Sequence, residues 1–141
     1  MKIRQLTADA YNKFSSYPQV LKKEERGYGL LEVTYQDLVF AIPLRSNMNH
    51  SHGFKTIMYK STWCGLDYSK ALITKPDDFK STTYKLRENK EFQKIKKNKD
   101  KISDQFGNYV LKYMKAYKAG NNTFHLCGYT TLEYFHKELG L

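Results

Sequence analysis

The sequence predicts an α+β protein, in which an antiparallel β-sheet is followed by helices. Segments rich in β-branched and aromatic residues, separated by turn residues, occupy positions 27–74. From position 86 onward the apolar residues recur at helical spacing instead. With 141 residues, 40% of them hydrophobic and 15% aromatic, the chain is long enough to bury one core. We therefore expect a single domain over residues 1–141.

The N-terminal segment fits a short strand followed by a helix. Residues 2–6 suit the strand. Thr7 is placed to cap the helix, because its hydroxyl can accept a hydrogen bond from one of the first helical N–H groups. The apolar spacing of Ala10 and Phe14 continues that helix until Pro18.

A β-hairpin is predicted next. Residues 27–35 form a β-rich run that opens with two glycines, and residues 38–42 return as its partner. Gln36 and Asp37 supply the tight turn. Pro43 is expected to end the ladder, because proline has no N–H to donate, and the residues after it are expected to leave as a loop. Two further strands are predicted at residues 54–59 and 66–74.

The C-terminal half is predicted to be helical. Phe92 and Ile95 suggest a short helix covered by lysines. An apolar stripe indicates a longer helix that Gly120 is placed to end. The stripe consists of Ile102, Phe106, Tyr109, Val110, Tyr113 and Tyr117. The tail carries a capping-box pattern, Thr130-x-x-Glu133, followed by a stop at Gly140. Its apolar face consists of Leu132, Phe135 and Leu139.

The positive charge is large and unevenly placed. Lys and Arg number 24 against 14 Asp and Glu, a formal net charge of +10. Residues 75–118 hold twelve lysines and one arginine against six acids, and so carry +7 of this excess. Self-repulsion opposes compaction, so the excess favours a polyanionic partner. An ordinary solvated, lysine-rich helix face is the alternative.

Several classes of function are disfavoured. No apolar run is long enough to span a bilayer, and the N-terminus lacks the apolar core of a signal peptide. Cys64 and Cys127 are isolated, which fits a reducing compartment and offers no zinc site. Neither a phosphate-binding loop of the triphosphate type nor a two-metal acidic cluster is present. We expect a cytoplasmic nucleic-acid-binding protein that does not bind membranes and uses no metal or cofactor.

Four short segments place polar side chains at the expected strand ends: residues 26–29, 42–47, 50–55 and 65–71. The glycines beside Arg26 would let a phosphate approach the backbone, although a glycine-assisted strand entry explains the same pattern. The segment after Pro43 offers a cluster of donors, or only a polar turn. His50 and His52 lack a third metal ligand, which makes acid–base chemistry the better use of an imidazole.

This inventory of side chains favours RNA over DNA. RNA supplies its own nucleophile, the 2′-hydroxyl. The protein then needs only to orient that hydroxyl, move two protons and stabilise charge on the phosphoryl oxygens. Arg, Lys, Ser, Tyr and His side chains are sufficient for those tasks.

The chain resembles the toxins of type III toxin–antitoxin systems, the ToxN, AbiQ, TenpN and CptN group, and is most similar to the CptN/TenpN branch. Three segments carry the likeness: Arg-Gly-Tyr-Gly at 26–29, Phe-Ala-Ile-Pro-Leu-Arg-Ser at 40–46 and Gly-Leu-Asp-Tyr-Ser-Lys-Ala at 65–71. The resemblance implies a fold like that of the MazF/Kid toxins, a compact, curved antiparallel β-sheet or barrel wrapped by helices. It implies a metal-independent endoribonuclease that leaves a 2′,3′-cyclic phosphate and a 5′-hydroxyl. It also implies inhibition by a repeat-encoded pseudoknot antitoxin RNA, in a toxin–RNA hetero-oligomer linked to phage defence by abortive infection.

The resemblance also implies a catalytic site. In the ToxN branch the site follows a Pro-Leu-Thr-Ser-x-Lys pattern; here Arg45 replaces the threonine, Ser46 matches and the lysine is missing. We expect Arg45 to bind the scissile phosphate and Ser46 to donate a hydrogen bond to it. Arg26, near a lysine of that branch, and Lys70 would supply further cations. Proton transfer is assigned to one of Tyr11, which lies near the N-terminal tyrosine of that branch, His50 or His52.

Lysines of residues 90–101 are expected to contact the RNA backbone, and aromatic side chains to stack on bases. The expected RNA-binding residues are Tyr28, Lys55, Tyr68, Ser69, Lys90, Lys94, Lys96, Lys97 and Lys99. Two rival interpretations remain: a non-enzymatic basic RNA-binding protein, in which Arg45 and Ser46 form only a turn, and a DNA-binding regulator. Because both residues are expected at the surface, their replacement should affect cleavage more than stability.

Overall fold

Six antiparallel strands and four α-helices make up the part of the chain that the computed structural model describes, residues 2–21, 28–86, 88–120 and 129–141. The strands are β1 (Ile3–Arg4), β2 (Leu30–Tyr35), β3 (Leu38–Arg45), β4 (Gly53–Tyr59), β5 (Thr62–Asp67) and β6 (Leu72–Ile73). The helices are α1 (Ala8–Ser15), α2 (Asn89–Lys97), α3 (Lys99–Lys118) and α4 (His136–Leu139). The strand order is β1-β2-β3-β5-β4, with β6 paired to β3, so the sheet is open within the described residues. The predicted α+β class is confirmed.

Helix α1 begins where the sequence predicts. The Thr7 hydroxyl accepts a hydrogen bond from the Ala10 N–H at 3.1 Å, which confirms Thr7 as the N-cap. Ala10 and Phe14 are buried in a hydrophobic cluster with Leu30 and Phe79. This cluster fixes α1 against the sheet.

Strands β2 and β3 form the predicted hairpin. Tyr35 pairs with Leu38, and between them Gln36 and Asp37 have φ angles of 49° and 65°. Positive φ at both positions is typical of a type I′ turn, whose twist suits a two-residue hairpin. Strand β2 begins at Leu30 instead of position 27, and position 27 itself lies outside the described residues.

Strand β3 continues past Pro43, so the expectation that this proline ends the ladder is wrong. Pro43 pairs with Leu30, and the next N–H, that of Leu44, donates to the Gly29 carbonyl at 2.8 Å. Backbone N–H groups of successive strand residues point to opposite edges of the strand. The Leu44 N–H points toward β2, so the Pro43 nitrogen points to the other edge of β3. On that edge the β6 pairing reaches only Ala41, and the β5 pairing begins beyond the proline, at Leu44. No ladder N–H is needed between the two pairings, so the strand tolerates the proline and runs two residues further.

The predicted strand at residues 66–74 is in fact two short strands with a turn between them. Strand β5 ends at Asp67, Tyr68–Lys70 form a 3₁₀ turn, and β6 follows. Asp67 Oδ1 accepts a hydrogen bond from the Ser69 N–H at 3.0 Å, so the side chain caps the turn. The strand predicted at residues 54–59 is confirmed as β4.

Helices α2, α3 and α4 confirm the predicted helical half. The stripe of α3 is buried as far as Tyr113, while Tyr117 at its end is 40% exposed. Gly120, with φ of 71°, donates to the Tyr117 carbonyl and ends the helix region as predicted. Thr130 caps a 3₁₀ turn, and Gly140 follows α4 with φ of 74°. Leu132, Phe135 and Leu139 are buried. No helix in the described ranges is long and apolar enough to cross a membrane.

Candidate active site

The candidate site is organised by one buried carboxylate, that of Asp67 at the end of β5. Its Oδ1 accepts hydrogen bonds from the Ser69 N–H at 3.0 Å and from the Ser69 hydroxyl at 2.6 Å. Its Oδ2 lies 3.0 Å from Arg45 Nη1 and 3.2 Å from His50 Nε2. A buried charge is stable only when it is paired and hydrogen-bonded, and these groups meet that requirement. We refer to Arg45, His50, Asp67 and Ser69 as the Asp67 cluster.

Arg45 is the last residue of β3, and its guanidinium is held in a fixed orientation. Nη1 contacts Asp67, while Nε donates to the Ser46 carbonyl at 3.2 Å. The Arg45 side chain is 25% exposed, so part of the guanidinium still faces solvent. Ser46, in contrast, is exposed. The expectation that Arg45 lies in a loop is wrong, because it is still part of β3, and its ion pair anchors it to a buried group.

His50 is held at both of its ring nitrogens. Nδ1 accepts a hydrogen bond from the His52 N–H at 3.0 Å, so it carries no proton of its own. Nε2 must then carry the proton that it shares with Asp67 Oδ2. The network assigns His50 as the neutral Nε2–H tautomer, with neither nitrogen placed to accept a substrate proton. The suggested role of His50 in proton transfer therefore does not fit this arrangement, in which its ring contacts Asp67.

His52 lies at a cleft beside the cluster. Its ring centroid is 5.8 Å from that of His50 and 5.9 Å from that of Tyr109 on α3. The cleft has a volume of about 340 Å³ and contains no Asp or Glu among its described lining residues. Lys112 contributes a cation to it. The other lining residues are Ser51, Gly53, Tyr68, Gln105 and Asn108.

Lys70 approaches the same region from the 3₁₀ turn. Its Nζ donates to Gln19 Oε1 at 3.2 Å and to the Tyr129 carbonyl at 2.9 Å. Burial lowers the pKa of the Lys70 ammonium, and the nearby Asp67 charge partly opposes that effect. The ring of Tyr129 is 6.4 Å from that of His52, which connects Lys70 to the cleft. A lysine that releases its proton more readily than usual is suited to act as an acid.

Arg45 and Ser46 themselves line a second pocket, which is poorly suited to a phosphate because Glu88 and Glu91 line it too. Glu91 is buried and accepts a hydrogen bond from the Thr56 hydroxyl. Two carboxylates at one pocket repel an anion, so a phosphate is expected on the His52 side of the cluster instead.

Two other catalytic residues were predicted, Tyr11 and Arg26. Tyr11 is on α1, where its ring packs edge-to-face against that of Tyr28, 6.3 Å between centroids. Arg26 lies outside the described residues. Within the described part of the chain, no group of three or more His, Cys, Asp and Glu side chains is placed to hold a metal ion.

Three of the predicted RNA-binding side chains are too buried for that role. Tyr28 and Tyr68 are each 3% exposed and Ser69 is 1% exposed, so neither ring offers a face on which a base could stack. The Tyr68 hydroxyl donates to Gln105 Oε1 at 2.9 Å, and the Ser69 hydroxyl donates to Asp67 Oδ1. The predicted lysines are exposed: Lys55, Lys90, Lys94, Lys96, Lys97 and Lys99.

The site predicted from the sequence includes Arg45 and Lys70, but it includes neither Asp67 nor the residues that α3 contributes to the cleft. An acid two residues before a buried serine was the available signal for Asp67, because Asp side chains commonly cap such turns. The Tyr109 and Lys112 contributions depend on long-range packing, which the sequence does not display. No family model, no curated protein and no solved structure matches this chain.

Proposed function

We propose that this chain is a metal-independent endoribonuclease, and that its active site is the Asp67 cluster together with His52 and Lys70. One observation carries the proposal. A buried carboxylate holds both a partly exposed guanidinium and the His50 ring. The His50 ring lies 5.8 Å from that of His52, which presents an imidazole to the cleft, and a half-buried ammonium is close by. The formal net charge of the chain is +10, which favours the binding of a polyanionic substrate such as RNA.

The chemistry follows from the roles that these groups can take. His52 accepts the proton of the RNA 2′-hydroxyl, whose oxygen then attacks the adjacent phosphorus. The bond from phosphorus to the 5′-oxygen breaks, and Lys70 donates a proton to the departing oxygen. Arg45 stabilises the charge that develops on the phosphoryl oxygens. The products are a 2′,3′-cyclic phosphate and a 5′-hydroxyl, and no metal or cofactor takes part.

We further propose that the chain is the cytoplasmic toxin of a type III toxin–antitoxin system, with a curved sheet of the MazF/Kid kind. The support is the resemblance carried by residues 26–29, 40–46 and 65–71. The last two of these segments supply Arg45 and Asp67, the two members of one ion pair. The inhibiting partner would be a pseudoknot RNA, and the substrate cellular or phage RNA.

Cleavage of RNA in the presence of EDTA tests the ribonuclease proposal. The wild-type protein is expected to produce cyclic phosphate ends. His52→Gln should slow cleavage by roughly 10²- to 10⁴-fold, the usual contribution of a general base. Lys70→Met should also lose activity, while the matched control Lys75→Met, at an exposed lysine, should not. Wild-type activity in His52→Gln would contradict the assigned role of this residue.

Growth of a bacterial host tests the toxin proposal separately. Expression of the chain alone is expected to arrest growth, and coexpression of RNA from short tandem repeats upstream of its gene is expected to restore it. Healthy growth at high expression of folded, RNA-cleaving protein would contradict the toxin assignment and leave the ribonuclease proposal intact.

One observation favours a non-enzymatic RNA-binding protein. Asp67 already neutralises the Arg45 charge, and both nitrogens of His50 are engaged within the protein. A binding protein would need only the exposed lysines. RNA binding by the wild-type chain without new 5′-hydroxyl ends would establish this alternative.

A further inference from the structure

Trp63 is exposed on the hairpin of β4 and β5, away from the hydrophobic core. Its side chain is 37% exposed, and its cross-strand partner Met58 is exposed as well. Indole is a large apolar surface, so leaving it in water forgoes a substantial gain from burial. Neither the Asp67 cluster nor the cleft uses Trp63.

Two lysines from different elements lie close to the indole ring. Lys55 Nζ, from β4, and Lys94 Nζ, from α2, are each 5.9 Å from the ring centroid. Lys94 also donates to the Thr56 carbonyl at 2.9 Å, which fixes its position beside the edge strand. An aromatic face accompanied by two cations is the arrangement with which proteins bind single-stranded nucleic acid, the ring stacking on a base and the cations contacting phosphates.

Trp63 and the Asp67 cluster lie on the same face of the sheet. Trp63, Gly65 and Asp67 alternate along β5, so their side-chain positions share one face. Arg45 and Lys55 pair with Gly65 from opposite sides and therefore share it too. Four residues of strand separate Trp63 from Asp67 by about 13 Å, a span of a few nucleotides at most.

We propose that Trp63, Lys55 and Lys94 form a base-stacking subsite for single-stranded RNA, which binds an unpaired base near the phosphate held by Arg45. This inference rests on the proposed function in taking RNA as the ligand and Arg45 as a phosphate contact. Stacking on the exposed indole requires a base whose own face is uncovered, which excludes a fully paired duplex. Every base has such a face, so the subsite selects strandedness and not sequence.

Fluorescence of Trp63 gives a direct test, because it is the only tryptophan in the chain. The probe is an oligoadenylate of about ten nucleotides with 2′-O-methyl groups, which lacks the free hydroxyl that the proposed cleavage needs. Binding is expected to quench the indole emission. Inorganic polyphosphate of equal charge should bind the lysines with little quenching. Binding of the oligoadenylate without any change in Trp63 emission would overturn the proposal, and so would equal quenching by polyphosphate.

Variants measure the contribution of the ring, with labelled oligoadenylate and anisotropy as the readout. Trp63→Leu should weaken binding roughly five- to hundredfold, and Trp63→Phe should retain most of the affinity. Tyr117→Leu is the matched control, because Tyr117 is an equally exposed aromatic residue at the end of α3. Wild-type affinity in Trp63→Leu would contradict the subsite. A stronger response of Trp63 to phosphatidylglycerol vesicles than to RNA would contradict it as well, and would indicate a membrane surface instead.

Failure of this subsite is distinguishable from failure of the proposed function. If Trp63→Leu binds RNA normally while the wild-type chain still cleaves, the subsite is wrong and the nuclease stands. If the wild-type chain quenches with oligoadenylate but never cleaves RNA, the subsite stands and the nuclease is wrong. Trp63→Leu should raise the KM for RNA cleavage. It should leave kcat, the rate constant at saturating RNA, unchanged, because the ring does not touch the reacting phosphate.

Discussion

Asp67 is the polar residue to which the other members of the Asp67 cluster bind. It ends β5, caps the following turn through Ser69, orients Arg45 and binds His50. Removal of this carboxylate would leave a guanidinium and an imidazole without the acceptor around which they are arranged. We therefore expect both the stability of the protein and its proposed activity to depend on this one residue.

Replacement of Asp67 by Ala should destabilise the protein by about 3–5 kcal/mol, because it breaks a buried, fully hydrogen-bonded ion pair. Equilibrium unfolding in urea measures the effect. Asp77→Ala, at an exposed acid, is the matched control and should change stability by no more than about 0.5 kcal/mol. An Asp67→Ala variant as stable as the control would show that the cluster does not hold this part of the fold together.

The sequence allowed Arg45 and Ser46 to be selected, since both follow a proline within a polar segment. It could not reveal that Arg45 is tied to a residue 22 positions later. Because of this ion pair, we expect replacement of Arg45 to cost more stability than replacement of a residue without such a contact. The tautomer of His50 is equally a product of the fold, because it depends on the His52 backbone N–H.

Among the elements, the β2–β3 hairpin has a turn that its residues fit only partly. Gln36 and Asp37 both adopt positive φ, which side chains other than Asn, Asp and Gly rarely take. Asp37→Gly should therefore stabilise the protein by up to about 1 kcal/mol, since Gly favours the second position of a type I′ turn. Thermal unfolding should show a higher Tm. A lower Tm would contradict this account of the turn, with Asp77→Gly as the control for a glycine at ordinary φ.

Helix α2 and the start of α3 present the lysines that should determine the salt dependence of RNA binding. Changing Lys90, Lys96, Lys97 and Lys99 together to Gln should reduce the slope of log affinity against log salt, by about 0.7 for each phosphate that a lysine no longer neutralises. Lys94 is left in place because it bonds to Thr56. The matched control changes four exposed lysines elsewhere: Lys75, Lys85, Lys115 and Lys118. An equal reduction in both variants would mean that only net charge matters.

The elements differ in how well local sequence determined them. Thr7, the α3 stripe and Gly140 depend on neighbours within one or two turns, and all three were predicted correctly. Pro43 was misjudged because its effect depends on which neighbouring strands pair on each edge of β3. The break after Asp67 was missed because one side-chain cap outweighs the β propensity of the residues around it.

At the scale of the whole molecule, buried tyrosines should make stability fall in alkaline solution. Burial raises the pKa of the Tyr28, Tyr68 and Tyr109 hydroxyls above the ordinary value of 10. Above about pH 10 the unfolded chain loses these protons and the native chain retains them, so stability falls by up to about 1.4 kcal/mol per pH unit for each tyrosine. Lys70, whose pKa is lowered, acts in the opposite direction but is only one group.

Urea unfolding at several pH values between about 9 and 11 measures this slope. Tyr28→Phe should make it shallower by the contribution of one tyrosine. Tyr117→Phe, which removes a hydroxyl from an exposed ring, is the matched control. Equal slopes in wild type and Tyr28→Phe would show that Tyr28 ionises as easily in the native state as in the unfolded one.

The most direct test of the central claim is the rate of RNA cleavage by the wild-type protein and by Arg45→Ala, measured in EDTA with identification of the product ends. Melting temperatures of the same samples establish that the variant is folded at the assay temperature. We expect metal-independent cleavage to a 2′,3′-cyclic phosphate and a 5′-hydroxyl, slowed roughly a hundredfold or more in folded Arg45→Ala. Full activity of folded Arg45→Ala, or cleavage that stops when metal is removed, would contradict the account.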